Sequence, residues 1–344
     1  MSVRRSEILF FVAVALALYV AWLVRNVLLL VYVSALFAVV IGPAINLVRR
    51  VRIGNWRPGR GLAILVIIVG GLGLMALFFT FALPPIFRDI QAFAADWPHR
   101  VGQLVDRIQH LPFFTEFDPR SLQQHLSAAV GGVFGLFKGI AGGVFWFFSW
   151  LILTVYFIVD GERAFQWFVS LFPPQQRERL EPTLLRAEAR VSHWLIGQGA
   201  LMLLLGSSSA VVFAILKIKY FYALAVLAGA ANIVPIVGPL VSVAAAGVVA
   251  GLDSWPKLVG VLVFYFVYQQ VENAFLTPRI MQSTVDLPPL AVIIALSLGG
   301  TLAGVLGALV AVPTAAVVAV LLDEYLVKPN AAPAPSGEMV SRVR

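Results

Sequence analysis

Charge and cysteine are the two things this sequence has least of. Only 12% of its 344 residues are charged and 60% are hydrophobic, whereas a soluble domain is about 25% charged. So little polar surface cannot cover a water-soluble globule, and so apolar a chain does not stay disordered. The absence of cysteine excludes a disulfide framework and a thiolate site. With soluble and disordered proteins excluded, the remaining class is a membrane protein.

Sequence motifs of enzyme chemistry are also missing. There is no phosphate-binding Walker loop, so ATP-driven pumping by this chain alone is not expected. No Gly-x-Ser-x-Gly elbow is present for a serine nucleophile. The four histidines lack metal-ligand spacing; they are His99, His110, His125 and His193. We therefore predict that the chain is not an enzyme and holds no cofactor and no metal.

Eight long apolar runs are present instead. They do not alternate apolar and polar residues as strands of a membrane barrel do, and most approach or exceed the roughly 20 residues of a spanning helix. The runs are Ile8–Val24, Val27–Val48, Gly61–Leu83, Val133–Val159, Leu195–Leu216, Phe221–Gly251, Leu258–Phe275 and Pro288–Leu322. The expected fold is an all-α polytopic membrane protein with broken or re-entrant helices in its C-terminal half. Only Arg25 and Asn26 separate the first two runs, which predicts a tight hairpin.

The distribution of charge predicts the orientation. In a soluble protein a net charge of +8 would suggest nucleic acid. Here it indicates basic loops beside anionic lipid, and no nucleic-acid partner is expected. The loop Arg49–Arg60 carries arginines and no acid, so we predict that it is cytoplasmic. With two spans before it, the N-terminus is then cytoplasmic too.

Polarity divides the chain into six parts. We predict an N-terminal three-helix membrane region, an extracytoplasmic amphipathic helical segment and a fourth span. A cytoplasmic charged helical segment, a C-terminal membrane region with broken helices and a disordered tail follow. The corresponding residues are 1–83, 84–132, 133–159, 160–194, 195–328 and 329–344.

The strongest local feature is the stretch Asn232–Pro239, which contains Pro235, Gly238 and Pro239 inside an apolar run. Each proline removes a backbone donor and clashes with the preceding turn, so the helix must break. A break at membrane depth is tolerated only within protein or beside a water-filled cavity, and such breaks form transport sites. The alternative is a re-entrant hairpin or kink that binds nothing. Asn232 is a candidate for satisfying the opened backbone or for coordinating a ligand.

A second polar feature ends the seventh run. Glu272 is an acid near the end of an apolar helix, with Gln269 and Asn273 on nearby faces. A carboxyl in a membrane is costly unless it is paired, hydrated or protonated, so it is a candidate for coupling to a cation or proton. The alternative is an interfacial position with an ion pair to Arg279.

Further candidates have structural or gating roles: Asp160, Gln198, Arg279 and Asp286. For Asp160 the favoured interpretation is a helix C-terminus stopped by Gly161, with a salt bridge to a neighbouring arginine. A second flexible or broken segment is predicted in the last run, where Gly304 and Gly307 precede Pro313.

These motifs together resemble the AI-2E family of bacterial transporters. The likeness covers nearly the whole chain except the tail. The matching pieces are Tyr156-Phe157-Ile158-Val159-Asp160-Gly161-Glu162-Arg163, Trp194-Leu195-Ile196-Gly197-Gln198, Asn232 to Pro239, Gln270, Glu272, Asn273 and Pro278, and Gly304 to Pro313. No single piece is specific, but their combination in this order is.

The resemblance implies a multi-pass protein of the bacterial inner membrane with about eight spans and both termini in the cytoplasm. It implies a homo-oligomer, with a pentamer among the expected forms, and a small-molecule or ion substrate. Some relatives are described as exporters of the signal autoinducer-2 and others as sodium/proton antiporters, so the family does not fix the substrate.

The leading hypothesis is a secondary transporter that exports a small polar solute or exchanges cations with protons. The two broken helices would line the path, and Glu272 would carry the coupling charge. An oligomeric passive channel would also use glycine-rich helices and amphipathic outer segments. A non-transporting membrane scaffold would use the segments 84–132 and 160–194 as docking surfaces.

Overall fold

The structure is a computed structural model that describes residues 2–50, 58–93, 95–96, 124, 144–281 and 288–327, and the side chains of these except 2–9, 144 and 145. Within these ranges the regular structure is helical and contains no strand, which confirms the all-α prediction. The chain forms two compact units. Unit 1 comprises Met1–Asn55, Phe145–Ser192 and Val285–Arg344, and unit 2 comprises Trp56–Val144 and His193–Thr284.

Besides a helical stretch at 83–93 that follows α3, nine α-helices make up the described fold. They are α1 Ser2–Leu23, α2 Arg25–Arg50, α3 Arg60–Leu77, α4 Val144–Ser170, α5 Pro174–Ile215, α6 Phe221–Ala231, α7 Val237–Asp253, α8 Trp255–Val271 and α9 Pro289–Leu322, with a short helical turn at Thr277–Ile280. Three π-helical turns, Phe78–Ala82, Glu272–Leu276 and Asp323–Val327, follow α3, α8 and α9. By length and composition, five of the described helical stretches can cross a membrane: Arg25–Arg50, Arg60–Phe93, Pro174–Ile215, Trp255–Ile280 and Pro289–Val327.

Unit 1 is held together by small polar contacts between apolar helices. The buried Ser34 hydroxyl on α2 donates to the Leu30 carbonyl of its own helix at 2.7 Å and to the Trp150 carbonyl of α4 at 3.4 Å. Beside it the Phe37 ring meets the Trp150 ring of α4 edge to face, with centroids 4.9 Å apart. One turn earlier the Tyr32 hydroxyl lies 3.0 Å from the Thr314 hydroxyl on α9. These contacts join α2 to both α4 and α9.

Unit 2 has the apolar core that positions the candidate site. Side chains from α5, α6, α7 and α8 and from the turn before α6 form one buried cluster: Leu205, Phe213, Ile218, Leu224, Ala225, Ala228, Ala246, Val249, Ala250, Val261, Tyr265 and Tyr268. Small residues let the helices approach closely. A Cβ on Gly206 of α5 would lie 3.2 Å from the Gly229 Cα of α6, which is the close packing that membrane helices use.

The predicted hairpin between the first two runs is wrong. Val24 is the only non-helical residue between α1 and α2, and its backbone N–H still donates to the Val20 carbonyl at 3.0 Å. Leu28 N–H donates in turn to the Val24 carbonyl at 3.0 Å. Arginine and asparagine are compatible with a helix, so Arg25 and Asn26 do not reverse the chain. The two helices are consecutive and meet at a local interruption.

The predicted glycine stop after Asp160 is also wrong, because α4 passes through Gly161 and ends at Ser170. A glycine inside a helix lowers the helix stability by only about 1 kcal/mol relative to alanine. One glycine is therefore not enough to end α4. The expected ion pair does form, with Arg163 Nη1 lying 3.6 Å from Asp160 Oδ1 on the exposed surface.

At other places too, the boundaries that we predicted from polarity differ from the helix boundaries of the structure. Helix α5 runs from Pro174 to Ile215, so the predicted boundary between 194 and 195 falls inside one helix. The predicted third span continues through the π-helical turn to Phe93. Most of the segment 84–132, residues 133–143 of the fourth run and the tail 329–344 lie outside the described residues.

Candidate functional site: the helix break and the buried acid of unit 2

The apolar run 221–251 breaks where the prolines predict. Helix α6 ends at Ala231 and α7 begins at Val237. Between them Ile236 adopts φ +68° and ψ −54°, and Val237 N–H donates to the Pro235 carbonyl at 2.7 Å. This is a γ-turn in its rare, strained form, and positive φ is a genuine outlier for a β-branched residue. Since Pro235 and Pro239 cannot donate, the chain folds back instead of continuing the helix.

Gly238 makes the tight fold possible. A Cβ at this position would overlap the backbone carbonyl of Ala231 at the end of α6. Only glycine therefore lets α7 begin directly against α6. At the opposite end, the Lys257 ammonium donates to the Lys217 carbonyl at 2.7 Å and pairs with the Asp253 carboxylate. One lysine thus ties the two ends of this α6–α7 hairpin together.

Amide side chains satisfy part of the opened backbone. The Gln198 side-chain amide of α5 donates to the Asn232 main-chain carbonyl, so the structure brings these two predicted residues together. Asn232 is 1% exposed, yet its own side-chain nitrogen Nδ2 has no hydrogen-bond partner. An unpaired buried donor costs about 1–3 kcal/mol. Asn232 therefore offers a polar group that the fold itself does not use.

The second feature is the inward face of α8. Val261, Tyr265, Tyr268 and Glu272 recur at helical spacing, and all four are buried. Glu272 is only 8% exposed and opens the π-helical turn Glu272–Leu276. Turns of this kind inside α-helices are frequent at functional sites.

Glu272 has no salt bridge to any residue that the structure describes. Its Oε2 atom is buried without a hydrogen bond. The Tyr268 hydroxyl, one turn earlier, interacts with the carboxylate, but no hydrogen bond of ordinary geometry joins them. The alternative interpretation, an ion pair with Arg279, does not apply: both residues are described, no salt bridge joins them, and Arg279 is exposed while Glu272 is buried. The bend of the π-helical turn lies between them.

Helix register brings the break and the acid to the same level. A Cβ on Gly197 of α5 would touch Ile280, and one on Gly260 would touch Leu216, so α5 and α8 run antiparallel. Leu258 likewise lies against Gly251 and Gly247 of α7. Extending this second register along two antiparallel helices, with about 1.5 Å of rise per residue, sets Glu272 level with Pro235.

The depth of Glu272 follows from the same geometry. It lies eight residues before Ile280, which is about 12 Å along a helix. Trp255, at the other end of the apolar stretch, lies seventeen residues away, or about 25 Å. The carboxyl is therefore well inside the stretch Trp255–Ile280 that can cross a membrane.

The sequence profile of the AI-2E family transporters matches residues 9–327. The chain belongs to the AI-2E transporter family. The "Putative transport protein YrrI" of Bacillus subtilis is 23% identical over 275 residues, which cover 79% of this chain and 74% of the relative. The "Putative transport protein YueF" of the same species is 26% identical over 247 residues, covering 69% and 65%. The "AI-2 transport protein TqsA" of Escherichia coli is 23% identical over 300 residues, covering 85% of each chain.

Family membership and the apolar helices make this chain an integral membrane protein with a transport role. The other predicted site residues differ from the buried acid in their surroundings. The Gln269 side-chain amide donates to the Asn273 side-chain carbonyl at 3.2 Å on an outer face of α8. Asp160 is exposed in unit 1, and Asp286 lies outside the described residues. A transport or gating role for these residues remains a prediction.

The predicted second break of this AI-2E chain exists in unit 1. Within α9, Ala303 and Gly304 leave the helical conformation, and Gly304 has φ +60° and ψ −139°. A Cβ on Gly299 would overlap the Gly307 carbonyl, although these residues would lie about 12 Å apart in a straight helix. The run therefore folds back on itself. Pro313 lies buried in its second half.

Sequence reasoning missed four residues beside Glu272: Ser209, Ser242, Tyr265 and Tyr268. The buried Tyr265 hydroxyl lies near Ser209 of α5 and Ser242 of α7, but it makes no hydrogen bond of ordinary geometry to either of them. Tyrosine and serine inside an apolar run are not recognised as functional candidates when hydropathy alone is considered. The signal that was present is spacing, because Tyr265, Tyr268 and Glu272 lie three and four residues apart, on one helix face.

Proposed function

We propose that this AI-2E family member is a secondary transporter of the bacterial cytoplasmic membrane. It exports a small polar solute or exchanges a cation, in each case against protons, and Glu272 carries the coupling charge. The single observation that carries the proposal is the buried, unpaired Glu272 carboxyl level with the helix break. Intramembrane acids of this kind are typical of proton and ion pathways.

The chemistry follows from the cost of burying charge. A protonated Glu272 is neutral and is tolerated within apolar helices, whereas a charged Glu272 requires a cation, water or a donor nearby. The break at Asn232–Ile236 supplies the unpaired side-chain amide of Asn232 at this level, and discontinuous helices of other transporters offer polar groups in the same way. Loss of the proton therefore favours a rearrangement around the break, and return of the proton reverses it.

For the transported substrate we propose two chemical classes. TqsA is named for AI-2 transport, so autoinducer-2 is one candidate solute here. A monovalent cation is the other, because a single carboxylate beside neutral oxygen atoms suits a hard cation. Comparing the metabolites released by cells with and without the protein distinguishes the two, since only solute export changes the metabolite content of the medium.

The test is transport by purified protein in proteoliposomes that contain a pH-sensitive dye. A pH gradient is imposed, sodium, lithium, potassium and autoinducer-2 are added in turn, and proton movement is followed. We expect one cargo to drive saturable proton flux in wild-type protein and Glu272→Gln to lower that flux at least about tenfold, which corresponds to 1.4 kcal/mol.

Glu178→Gln is the matched control, because Glu178 is an exposed acid at the start of α5 and loses the same charge. Equal flux in wild type and Glu272→Gln, at equal amounts of folded protein, would reject the coupling role. Unitary conductance that needs no gradient would reject the secondary transporter and favour a passive pore.

We also propose that the N-terminus is cytoplasmic and that the protein is a homo-oligomer. The basic residues Arg49, Arg50 and Arg60 support a cytoplasmic loop. Because α1 and α2 are consecutive helices rather than a hairpin, the side of the N-terminus needs its own test. Reporter fusions at the N-terminus and after Asp253, and cross-linking of the protein in native membranes, provide these tests. A periplasmic N-terminus or an exclusively monomeric protein would contradict the respective proposal.

A further inference from the structure

We infer that Tyr268 is a positioning residue that responds to the protonation of Glu272, and that a buried strip of hydroxyl groups transmits this change to the α6–α7 hairpin. The strip comprises Tyr268, Tyr265, Ser209 and Ser242. The inference rests on the proposed coupling role of Glu272 and adds the residues through which that role reaches the helix break.

The strip is a set of buried oxygen atoms that the fold leaves incompletely paired. Ser209 and Ser242 are at most 2% exposed, and both tyrosines are also buried. The hydroxyls of Ser209, Tyr265 and Tyr268 have no hydrogen-bond partner, as is true of Glu272 Oε2. Unpaired buried oxygen atoms are rare because each is costly. Four of them along one face of α8 and its neighbour α5 indicate hydroxyls that change partners.

Tyr268 is suited to respond to Glu272 because the two groups have complementary hydrogen-bond requirements. A carboxylate only accepts hydrogen bonds, whereas a protonated carboxyl also donates. When Glu272 is charged, the Tyr268 hydroxyl donates to it in a charge-assisted bond. When Glu272 takes up a proton, that bond weakens and the Tyr268 hydroxyl turns to donate to the Tyr265 oxygen. Tyr268 keeps its own proton throughout, and the transported proton resides on Glu272.

Tyr265 passes the change to the hairpin. Its buried side chain lies near Ser209 of α5 and Ser242 of α7, although no hydrogen bond of ordinary geometry joins its hydroxyl to either serine. The Ser242 hydroxyl in turn donates to the Gly238 carbonyl at 2.8 Å. Gly238 is the residue that packs against the end of α6, where a Cβ would overlap Ala231. The strip therefore leads from the coupling acid to the tightest contact of the helix break.

Neighbouring helices contribute no competing charge. Neither the α5 stretch 195–215 nor α6 contains an acid, lysine, arginine or histidine, and α7 contains only Asp253 at its far end. On α8 the remaining charged group is Lys257, paired with Asp253, and Arg279 follows the π-helical turn. Asp89 of the helix after α3 accepts from the backbone of Tyr222 and Ala223 at the opposite end of α6. Among the residues that the structure describes, Tyr265 and Tyr268 are thus the titratable groups on the same helix face as Glu272.

The experiment measures proton-driven flux against pH for Tyr268→Phe, Tyr265→Phe and Ser242→Ala in the same proteoliposomes. Tyr268→Phe removes the donor to the charged carboxyl, so we expect the pH of half-maximal flux to rise by about one unit, which is a tenfold change in proton occupancy. Tyr265→Phe and Ser242→Ala keep that donor, so we expect the midpoint to stay and the maximal flux to fall at least about threefold. Tyr222→Phe, an exposed tyrosine at the start of α6, is the control.

The outcomes separate this inference from the proposed function. If Glu272→Gln abolishes flux while Tyr268→Phe keeps the wild-type midpoint, the positioning role is rejected and the coupling role stands. Flux that is unaffected by Glu272→Gln rejects the coupling role itself. A double-mutant cycle between Tyr268→Phe and Ser242→Ala completes the test, since additive effects would contradict a connected strip. Thermal unfolding of each variant in detergent excludes loss of fold as the cause.

Discussion

The two broken helices of this chain, one in each unit, start from the same sequence signature and become different structures. In both, glycines interrupt an apolar run and permit backbone packing that a Cβ would prevent. Gly238 meets Ala231 in unit 2, and Gly299 meets Gly307 in unit 1. Both runs fold back, so glycine and proline predict the fold of each break equally well.

Their polar surroundings differ. The buried side-chain amides of Gln198 and Asn232 lie at the unit 2 break. Along α8, Glu272 is at the same level as this break. Beside the unit 1 break, Thr301 donates to the Ser297 carbonyl of its own helix at 3.0 Å, and the flanking Leu302 and Val305 are exposed apolar residues. The unit 1 break has a threonine bonded within its own helix, whereas the unit 2 break leaves the buried side-chain nitrogen of Asn232 unpaired.

Backbone strain differs as well. The unit 2 break places Ile236 at φ +68°, where a β-branched residue is strained, while the unit 1 break uses Gly304 at φ +60°, where glycine is at ease. Strain and unpaired polar groups occur together at functional sites. The comparison therefore assigns the proposed coupling to unit 2 and a packing role to the fold-back of unit 1.

The largest expected effect tests what the two breaks share. Gly238→Ala and Gly299→Ala each put a Cβ into a backbone carbonyl, so we expect each to lower the free energy of unfolding by about 3 kcal/mol or more. Gly300→Ala is the matched control, since no atom lies within 4 Å of its Cβ. Thermal unfolding in detergent measures all three. An unchanged melting temperature for Gly238→Ala would show that the hairpin is not tightly closed.

The next effect tests how the breaks differ in function. Asn232→Ala removes an amide whose nitrogen is unpaired, while the main-chain bond from Gln198 persists. We expect proton-driven flux to fall about tenfold, the effect of one hydrogen bond of about 1.5 kcal/mol, with the free energy of unfolding unchanged or slightly raised. Thr301→Val at the unit 1 break should leave flux within about twofold. Equal losses in the two variants would remove the functional distinction.

The smallest effect tests the difference in strain. Ile236→Gly relieves a positive φ and loses little packing, so we expect the free energy of unfolding to stay the same or rise by about 1 kcal/mol. Gly304→Ala introduces a strained residue and should lower it by about 1–3 kcal/mol. Denaturant titration of both variants checks the opposite signs. Destabilisation by Ile236→Gly as large as that by Gly304→Ala would contradict a strained turn.

Local chemistry made part of this fold predictable. Pro235, Gly238 and Pro239 forbid a continuous helix, and the break lies where they do. The burial of Glu272 was one of two interpretations left open by its position in an apolar run. Arg25 and Asn26 led to the wrong prediction of a hairpin, because a pair of polar residues interrupts an apolar run without interrupting a helix. Gly161 led to the wrong prediction of a helix end, because a single glycine is also tolerated inside a helix.

Tertiary contacts made the rest unpredictable. The bond from Gln198 to Asn232 joins residues 34 apart in sequence, and only the antiparallel packing of α5, α7 and α8 sets Glu272 level with Pro235. Tyr265 and Tyr268 count among the hydrophobic residues of the composition, so their hydroxyls are recognised as a site only once the neighbouring serines are in place. The fold class follows from composition, whereas the candidate site requires the register of the helices.

The most direct test of the account is carbodiimide labelling of wild-type protein in proteoliposomes, because this reagent modifies protonated carboxyls in apolar surroundings. Mass spectrometry of the peptide that contains Glu272 gives the labelled fraction, and proton-driven flux is measured on the same sample. The account predicts that labelling of Glu272 increases as the pH is lowered and that flux falls in proportion to the labelled fraction. Full labelling of Glu272 with intact flux, or loss of flux with Glu272 unlabelled, would contradict it.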